Sequence, residues 1–337
     1  MASRTGGEQK YRERVRKARL AVLTILAFSL IIFIAIAALA VLNEGVDRFA
    51  ATLDSINPFY FGLALLCALL SMVAGYPKWE LFVKKLGVKI KRSKNLAIYL
   101  SMFSMDITPG RWGRAVVSYT LNRLTGTKFA RTFPAVVADI FTDFLGFIAV
   151  TLVLSFLVQG YTMVSVVISV LLLIPFCFIY IEAPFDYIRK KLHRFKRLRW
   201  LFNVGELYFK SSRKIDTRTY AYAMLFTIPS VVLNGLALYF VMLSFGINVG
   251  IGFLPTVLFI YTSSLLIGMV TGIPGALGVT DAALLSYLTT FFAGAGVTFG
   301  IASAITIFFR IASLWFTEGF STVFLVYTFR YWKVRKR

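Results

Sequence analysis

The chain is 337 residues long, 58% hydrophobic and 16% aromatic, with a formal net charge of +22. A mean hydropathy of +0.76 excludes a soluble domain of ordinary composition and puts the chain in the membrane class. One histidine, His193, argues against His-rich zinc sites and a Ser-His-Asp triad, so no metal, cofactor or catalytic residue is expected.

Apolar runs near the roughly 20 residues needed to cross about 30 Å of hydrocarbon fall at 20–42, 57–76, 133–158, 162–181, 219–245 and 299–328. They predict an all-α polytopic membrane protein with about six full spans. The first run is too long for a signal-peptide core and lacks a small-residue cleavage site, so a retained anchor is expected. Cys67 and Cys177 lie in apolar runs and are read as small packing residues.

The positive charge is not scattered. Residues 1–19 hold seven Lys/Arg, 77–96 seven, 120–132 three, 182–218 eleven and 329–337 five, together 33 of the 37. Loop 43–56 has only Arg48 beside Glu44, Asp47 and Asp54. The positive-inside rule therefore predicts cytoplasmic N- and C-termini in a plasma-membrane protein, and facing anionic headgroups explains the basic excess without nucleic acid. Within 186–218, Ile188, Leu192, Phe195, Leu198 and Phe202 recur at helical spacing among basic residues. That is a basic amphipathic helix, either a surface anchor or a collector of anionic lipid.

Two apolar segments are broken by Pro-Gly-x-x-Gly. Leu96–Arg123 carries Pro109, Gly110 and Gly113, and Leu254–Gly294 carries Pro274, Gly275 and Gly278. Basic sequence flanks the first on both sides, so it dips in from the cytoplasm; the second starts and ends outside. Re-entrant hairpins near 96–123 and 254–294 then divide the chain. Segment 1–56 holds the basic N-terminus, first span and outer loop, and 57–158 is the first repeat. Segment 159–218 is a connecting span with its basic segment, 219–328 the second repeat and 329–337 a basic tail. Opposed span–hairpin–span units make an inverted-topology repeat, as in many transporters. Broken backbone at membrane depth must be buried or line a cavity, so the two tips are expected to meet.

Helix starts at Gly and Pro leave backbone N–H groups that, with the helix dipole, favour anions. Gly110, Gly113, Gly275 and Gly278 are thus candidate phosphate-binding positions, with Pro109 and Pro274 as the breaks. Arg111 and Arg114 either add planar donors for phosphate or snorkel to the interface. Asp139 and Asp143, Asp281, Arg310 and Glu318 are ionisable groups within predicted membrane segments, expensive unless paired or facing a cavity. An Arg310 pairing with Asp139 or Asp143 is structural glue on one reading. On another, Arg310 binds phosphate while the acidic residues, Asp281 and Glu318 included, couple charge or gate.

The set Pro109-Gly-Arg-Trp-Gly-Arg114, Val137-Ala-Asp-Ile-Phe-Thr-Asp143, Ile273-Pro-Gly-Ala-Leu-Gly-Val279 with Asp281-Ala-Ala, and Phe309-Arg310 resembles the membrane region of lysylphosphatidylglycerol synthases, also called the flippase-like family, over about residues 57–328. Two departures stand out. Members commonly carry Glu-Arg near Asp139-Ile140, so a second intramembrane Arg is missing here, and a Glu often stands where this chain has Ala115. The resemblance implies movement of lipid across the bilayer, either an aminoacylated phospholipid or a polyprenyl-phosphate carrier.

The leading expectation is an alternating-access transporter, not an enzyme, for an anionic lipid such as an undecaprenyl or dolichyl monophosphate. Arg111, Arg114 and Arg310 would hold the phosphate. The alternatives are a phospholipid or aminoacyl-phospholipid flippase, an intramembrane lipid-headgroup enzyme using Asp106, Asp139 or Asp143, and a membrane partner of a glycosyltransferase. The expected partners are the anionic lipid and the bilayer, with a homodimer as a candidate assembly.

Overall fold

A computed structural model describes residues 30–158, 160–180 and 199–331, and among these every regular element is helical. The start of the predicted first span, the termini and the amphipathic segment up to residue 198 lie outside the described residues. The described part of the first span is α1, Leu30–Glu44, which meets α2, Val46–Asp54, at 117°. Gly45 makes the corner with φ 88, a conformation that costs glycine little. The Glu44 carboxylate then accepts a hydrogen bond from the Gly300 amide at 2.6 Å, satisfying an orphan donor at a distant helix start.

The first predicted repeat opens with α3, Pro58–Lys85, started by Pro58 and by the Asn57 side chain accepting from the Phe59 amide at 3.0 Å. It runs nine residues past the predicted end of its span, through Pro77. Next come α4, Arg92–Met102, short 3-10 turns at Phe103–Met105 and Pro109–Ala115, and α5, Val116–Thr125. At 11 and 10 residues, α4 and α5 rise about 16 and 15 Å, too little to cross alone. Helix α6, Phe129–Ser155, closes the unit. Helices α7, Thr162–Tyr180, and α8, Arg199–Ser212, follow.

The second unit repeats this order. Helix α9, Thr217–Ser244, has the same 28-residue length as α3. Helix α10, Leu254–Val270, breaks before a 3-10 turn at Pro274–Ala276, and α11, Val279–Phe291, returns. Helix α12, Phe299–Arg310, continues through a π-helical turn at Ile311–Trp315 into α13, Phe316–Tyr331.

Among the described residues, five helices are long and apolar enough to cross a membrane, or six if α1 and α2 form one span. One of the five, Ile251–Val270, is the first arm of the second expected hairpin. Its 20 residues exceed what a re-entrant arm requires, so length separates the two expected hairpins: the arms of the first cannot span, whereas this one can.

Helices α3 and α9 form the central pair. The Asn57 amide donates to the Ser244 carbonyl at 2.7 Å, the start of one helix meeting the end of the other. Midway, Ser230 Oγ donates to the Ser71 carbonyl at 2.8 Å and Asn234 Nδ2 to Ser71 Oγ at 2.7 Å. The helices therefore run antiparallel, as opposed repeats require of their opening spans. Interhelical hydrogen bonds in membranes contribute only about 0.6 kcal/mol each, so close packing dominates. Gly146 of α6 and Gly235 of α9 make that packing possible. A Cβ at either would collide with Thr227 or Leu258 of the neighbouring helix.

Candidate functional site

The two Pro-Gly segments share an unusual backbone. After Pro109, Gly110 and Arg111 have φ 57 and 59; after Pro274, Gly275 and Ala276 have φ 62 and 52. Arg111 and Ala276 are the non-glycine residues with positive φ among the described residues, a conformation disfavoured by sterics. The second glycines serve differently. Gly113 admits Met105 and Thr108, whose side-chain atoms would lie 2.7 Å from an added Cβ, and Gly278, at φ 81, precedes α11.

These tips pack on one another. Ile107 joins Leu277 and Leu314 in a small apolar cluster covered by Ile32 of α1 and by Trp315. Beside this seal lies a cavity of about 140 Å³, room for a headgroup but not for acyl chains. Arg111, Arg114 and Asp143 line it from one side, Gly275, Ala276 and Arg310 from the other.

The first unit gathers three cations and three carboxylates. Arg114, 1% exposed, makes a two-pronged contact with Asp106, Nε to Oδ1 and Nη2 to Oδ2, each at 2.6 Å. Its Nη1 donates to Asp139 and to Asp143, both at 2.8 Å. Lys78, 2% exposed, donates to Asp143 and stands 3.3 Å from Asp139. Arg111, 20% exposed, is held more loosely: Nη1 lies 3.0 Å from Asp143, Nε 3.9 Å from Asp106, and its guanidinium sits over the Phe147 ring at 5.6 Å.

Among the described residues, the second unit has one ion pair. Arg310 Nε donates to Asp281 Oδ1 at 2.5 Å and Nη2 reaches the Ala276 carbonyl at 3.4 Å, contacts that occupy two of its five N–H donors. Asp281 also caps α11, its Oδ2 accepting from the Gly278 amide at 2.8 Å. In both units an ion pair fastens the tip to the following helix across 29 residues, Arg114 to Asp143 and Asp281 to Arg310, with the signs of charge exchanged.

Several expectations are corrected. Arg310 pairs with Asp281, not with Asp139 or Asp143, because the second tip carries its own carboxylate to α12. Arg114 is buried and spends four of its five N–H donors on Asp106, Asp139 and Asp143, so it chiefly fastens the tip and has little left for phosphate. The Gly113 amide donates to Thr108 Oγ1 at 2.7 Å and that of Gly278 to Asp281, which takes both away from an anion. Gly110 and Gly275 line the cavity. Glu318 lies buried on α13 beside the first tip, facing Asp106 and Arg310.

The residue missed is Lys78. Pro77 looks like the end of a span, which assigns Lys78 to a solvated loop; the pattern Trp79, Phe82, Val83, all buried, is the signal that the helix continues. Lys78 places a cation beside Asp139, where a second intramembrane Arg is absent.

The sequence carries the same assignment over most of its length. The family model of the lysylphosphatidylglycerol synthase TM region matches residues 24–318. A UPF0104 membrane protein of Methanothermobacter thermautotrophicus is 21% identical over 331 residues, covering 89% of this chain and 95% of that protein. A multi-pass helical chain whose paired Pro-Gly tips meet at a charged cavity, matched by that model from before α1 into α13, belongs to the lysylphosphatidylglycerol synthase transmembrane-region family.

Proposed function

We propose that this protein moves an anionic lipid across the plasma membrane, its phosphate held in the cavity between the two tips and exposed alternately to each side. A polyprenyl monophosphate is the substrate this reading names. The observation that carries it is the pair Arg111 and Arg310, which reach one headgroup-sized cavity from opposite tips while each keeps donor capacity beyond its carboxylate contact.

Lys78, Arg111 and Arg114 face Asp106, Asp139 and Asp143, three charges against three. These side chains are therefore nearly charge-balanced among themselves, which meets the cost of burying ions. A phosphate entering it competes with Asp143 for Arg111 and takes the remaining donors of Arg310. Because the aspartate waits to reclaim Arg111, the phosphate can also leave, as a transport cycle requires. Alternating access follows from two opposed units whose tips touch through a small apolar seal. The positive-inside rule, applied to the basic segments, supports a cytoplasmic side for both termini.

A phosphodiester headgroup makes similar demands, so a phospholipid is the nearest variant. An intramembrane enzyme is less well supported, since Asp106, Asp139 and Asp143 must each release a cation before acting as a base.

Ligand-induced thermal stabilisation of the detergent-purified protein tests the recognition step. A short-chain polyprenyl monophosphate should raise the melting temperature, the matching neutral polyprenol should not, and Arg310→Lys should remove the effect while leaving the unliganded melt near that of the wild type. Equal stabilisation by the neutral alcohol would refute phosphate recognition, and a phosphatidylglycerol arm separates the two lipid classes.

A further inference from the structure

Three side chains at every third position of the last helix carry buried polar atoms that find no hydrogen-bond partner among the described residues: Trp315 Nε1, Glu318 Oε1 and Ser321 Oγ. Residues so spaced stack along one helix face, about 4.5 Å of rise per step. Helix α13 packs on α4 and on the turn at Phe103–Met105, so the row lies close to the first tip. Buried polar atoms without protein partners are ordinarily satisfied by water.

Glu318 is 9% exposed, and among the described residues it forms no ion pair, Arg310 acting on it without direct contact. The charged groups facing it are Asp106 of the first tip and Arg310 of α12, together with the Ile107 backbone. It differs in this from Asp139, Asp143, Asp106 and Asp281, each of which has a basic partner. Thr317, its neighbour in sequence, lines the cavity.

We propose that Glu318 is a proton-binding site coupled to headgroup binding, with Ser321 and Trp315 holding the water path that serves it. An anionic headgroup on Arg310 adds negative charge beside Glu318 and draws off the cation that faces it. The neutral acid is then favoured, and the carboxylate takes one proton from water. When the headgroup leaves, the proton is released. Linkage makes this reciprocal, so protonation of Glu318 strengthens headgroup binding, and proton and lipid phosphate move in the same direction. The inference rests on the anionic-headgroup reading above.

The test is proton uptake by detergent-purified protein, followed with a pH dye in weak buffer at alkaline pH, where a buried carboxyl lacking a cation is ionised before the lipid binds, as a short-chain polyprenyl monophosphate is added. Wild type should take up about one proton more per bound lipid than Glu318→Gln, a difference that removes the lipid's own titration. In proteoliposomes, acid on the lipid-donor side should accelerate wild-type transfer and leave Glu318→Gln unaffected. If Glu318→Gln is poorly folded, Ser321→Ala serves instead and should slow proton uptake at unchanged lipid affinity. Lipid binding with equal proton uptake in wild type and variant overturns the proton site and leaves the transport reading standing. No binding of any phospholipid or polyprenyl phosphate by the wild type overturns both.

Discussion

Replacing Lys78 with Met tests whether the buried charge cluster holds the first tip in place. The substitution keeps the length of the side chain and removes one of three cations, leaving Asp139 and Asp143, 0% and 17% exposed, to Arg114 and Arg111. Two effects compete in size. A lost neutral hydrogen bond in a membrane interior costs about 0.6 kcal/mol, whereas a buried carboxylate left short of a cation costs about 3 kcal/mol. The second is the larger, so Lys78→Met should shift the folding equilibrium about a hundredfold. The control is Lys84→Met, whose partner Glu80 lies 3.1 Å away while Lys84 is 68% exposed, a pair contributing at most about 1 kcal/mol. Adding Asp139→Asn to Lys78→Met restores the balance of charge and should recover most of the loss in a double-mutant cycle. Denaturant titration in detergent micelles gives the four stability differences, Asp139→Asn alone completing the cycle. A Lys78→Met loss no larger than that of Lys84→Met, or no recovery in the double variant, would refute the cluster as the anchor of the tip.

Arg111→Lys should fold normally and lose lipid transfer, whereas Arg114→Lys breaks the two-pronged contact with Asp106 and should destabilise the protein by about 2 kcal/mol; paired melting and transfer assays separate these outcomes. With Cys67 and Cys177 replaced, Ile107→Cys combined with Leu277→Cys should form a disulfide under oxidation, given the contact between the tips. Transfer should stop and return on reduction. At the start of α9, Asp216 is held below the usual carboxylate range, first by hydrogen bonds from the Thr219 hydroxyl and amide and then by Lys85. A depressed folded value means its stabilisation is fully present above the unfolded carboxylate range and is lost as pH falls through the folded one. Asp216→Asn should therefore flatten the acid limb of the melting-temperature profile.

The helices and the paired breaks were legible because their signals are local: apolar runs of spanning length, and Pro-Gly at two corresponding places. The meeting of the tips followed from the rule that broken backbone must be sheltered. What could not be read was partner choice. Arg310 binding Asp281 and Arg114 gathering Asp106, Asp139 and Asp143 depend on how separate helices come together, and spacing along one helix carries no such information. Lys78 was lost to a boundary error, since proline ends most soluble helices yet is tolerated inside α3. The length of Ile251–Val270 left the second hairpin less sharply defined than the first for a similar reason: composition records how apolar a segment is, not how deep it lies.

The most direct test of the account is transfer of a dithionite-accessible fluorescent polyprenyl monophosphate in proteoliposomes of purified protein, beside a phosphatidylglycerol analogue and an Arg310→Lys control shown to be folded. The polyprenyl monophosphate should cross, and Arg310→Lys should abolish crossing. Failure of both lipids to move, or undiminished transfer by folded Arg310→Lys, would contradict the account.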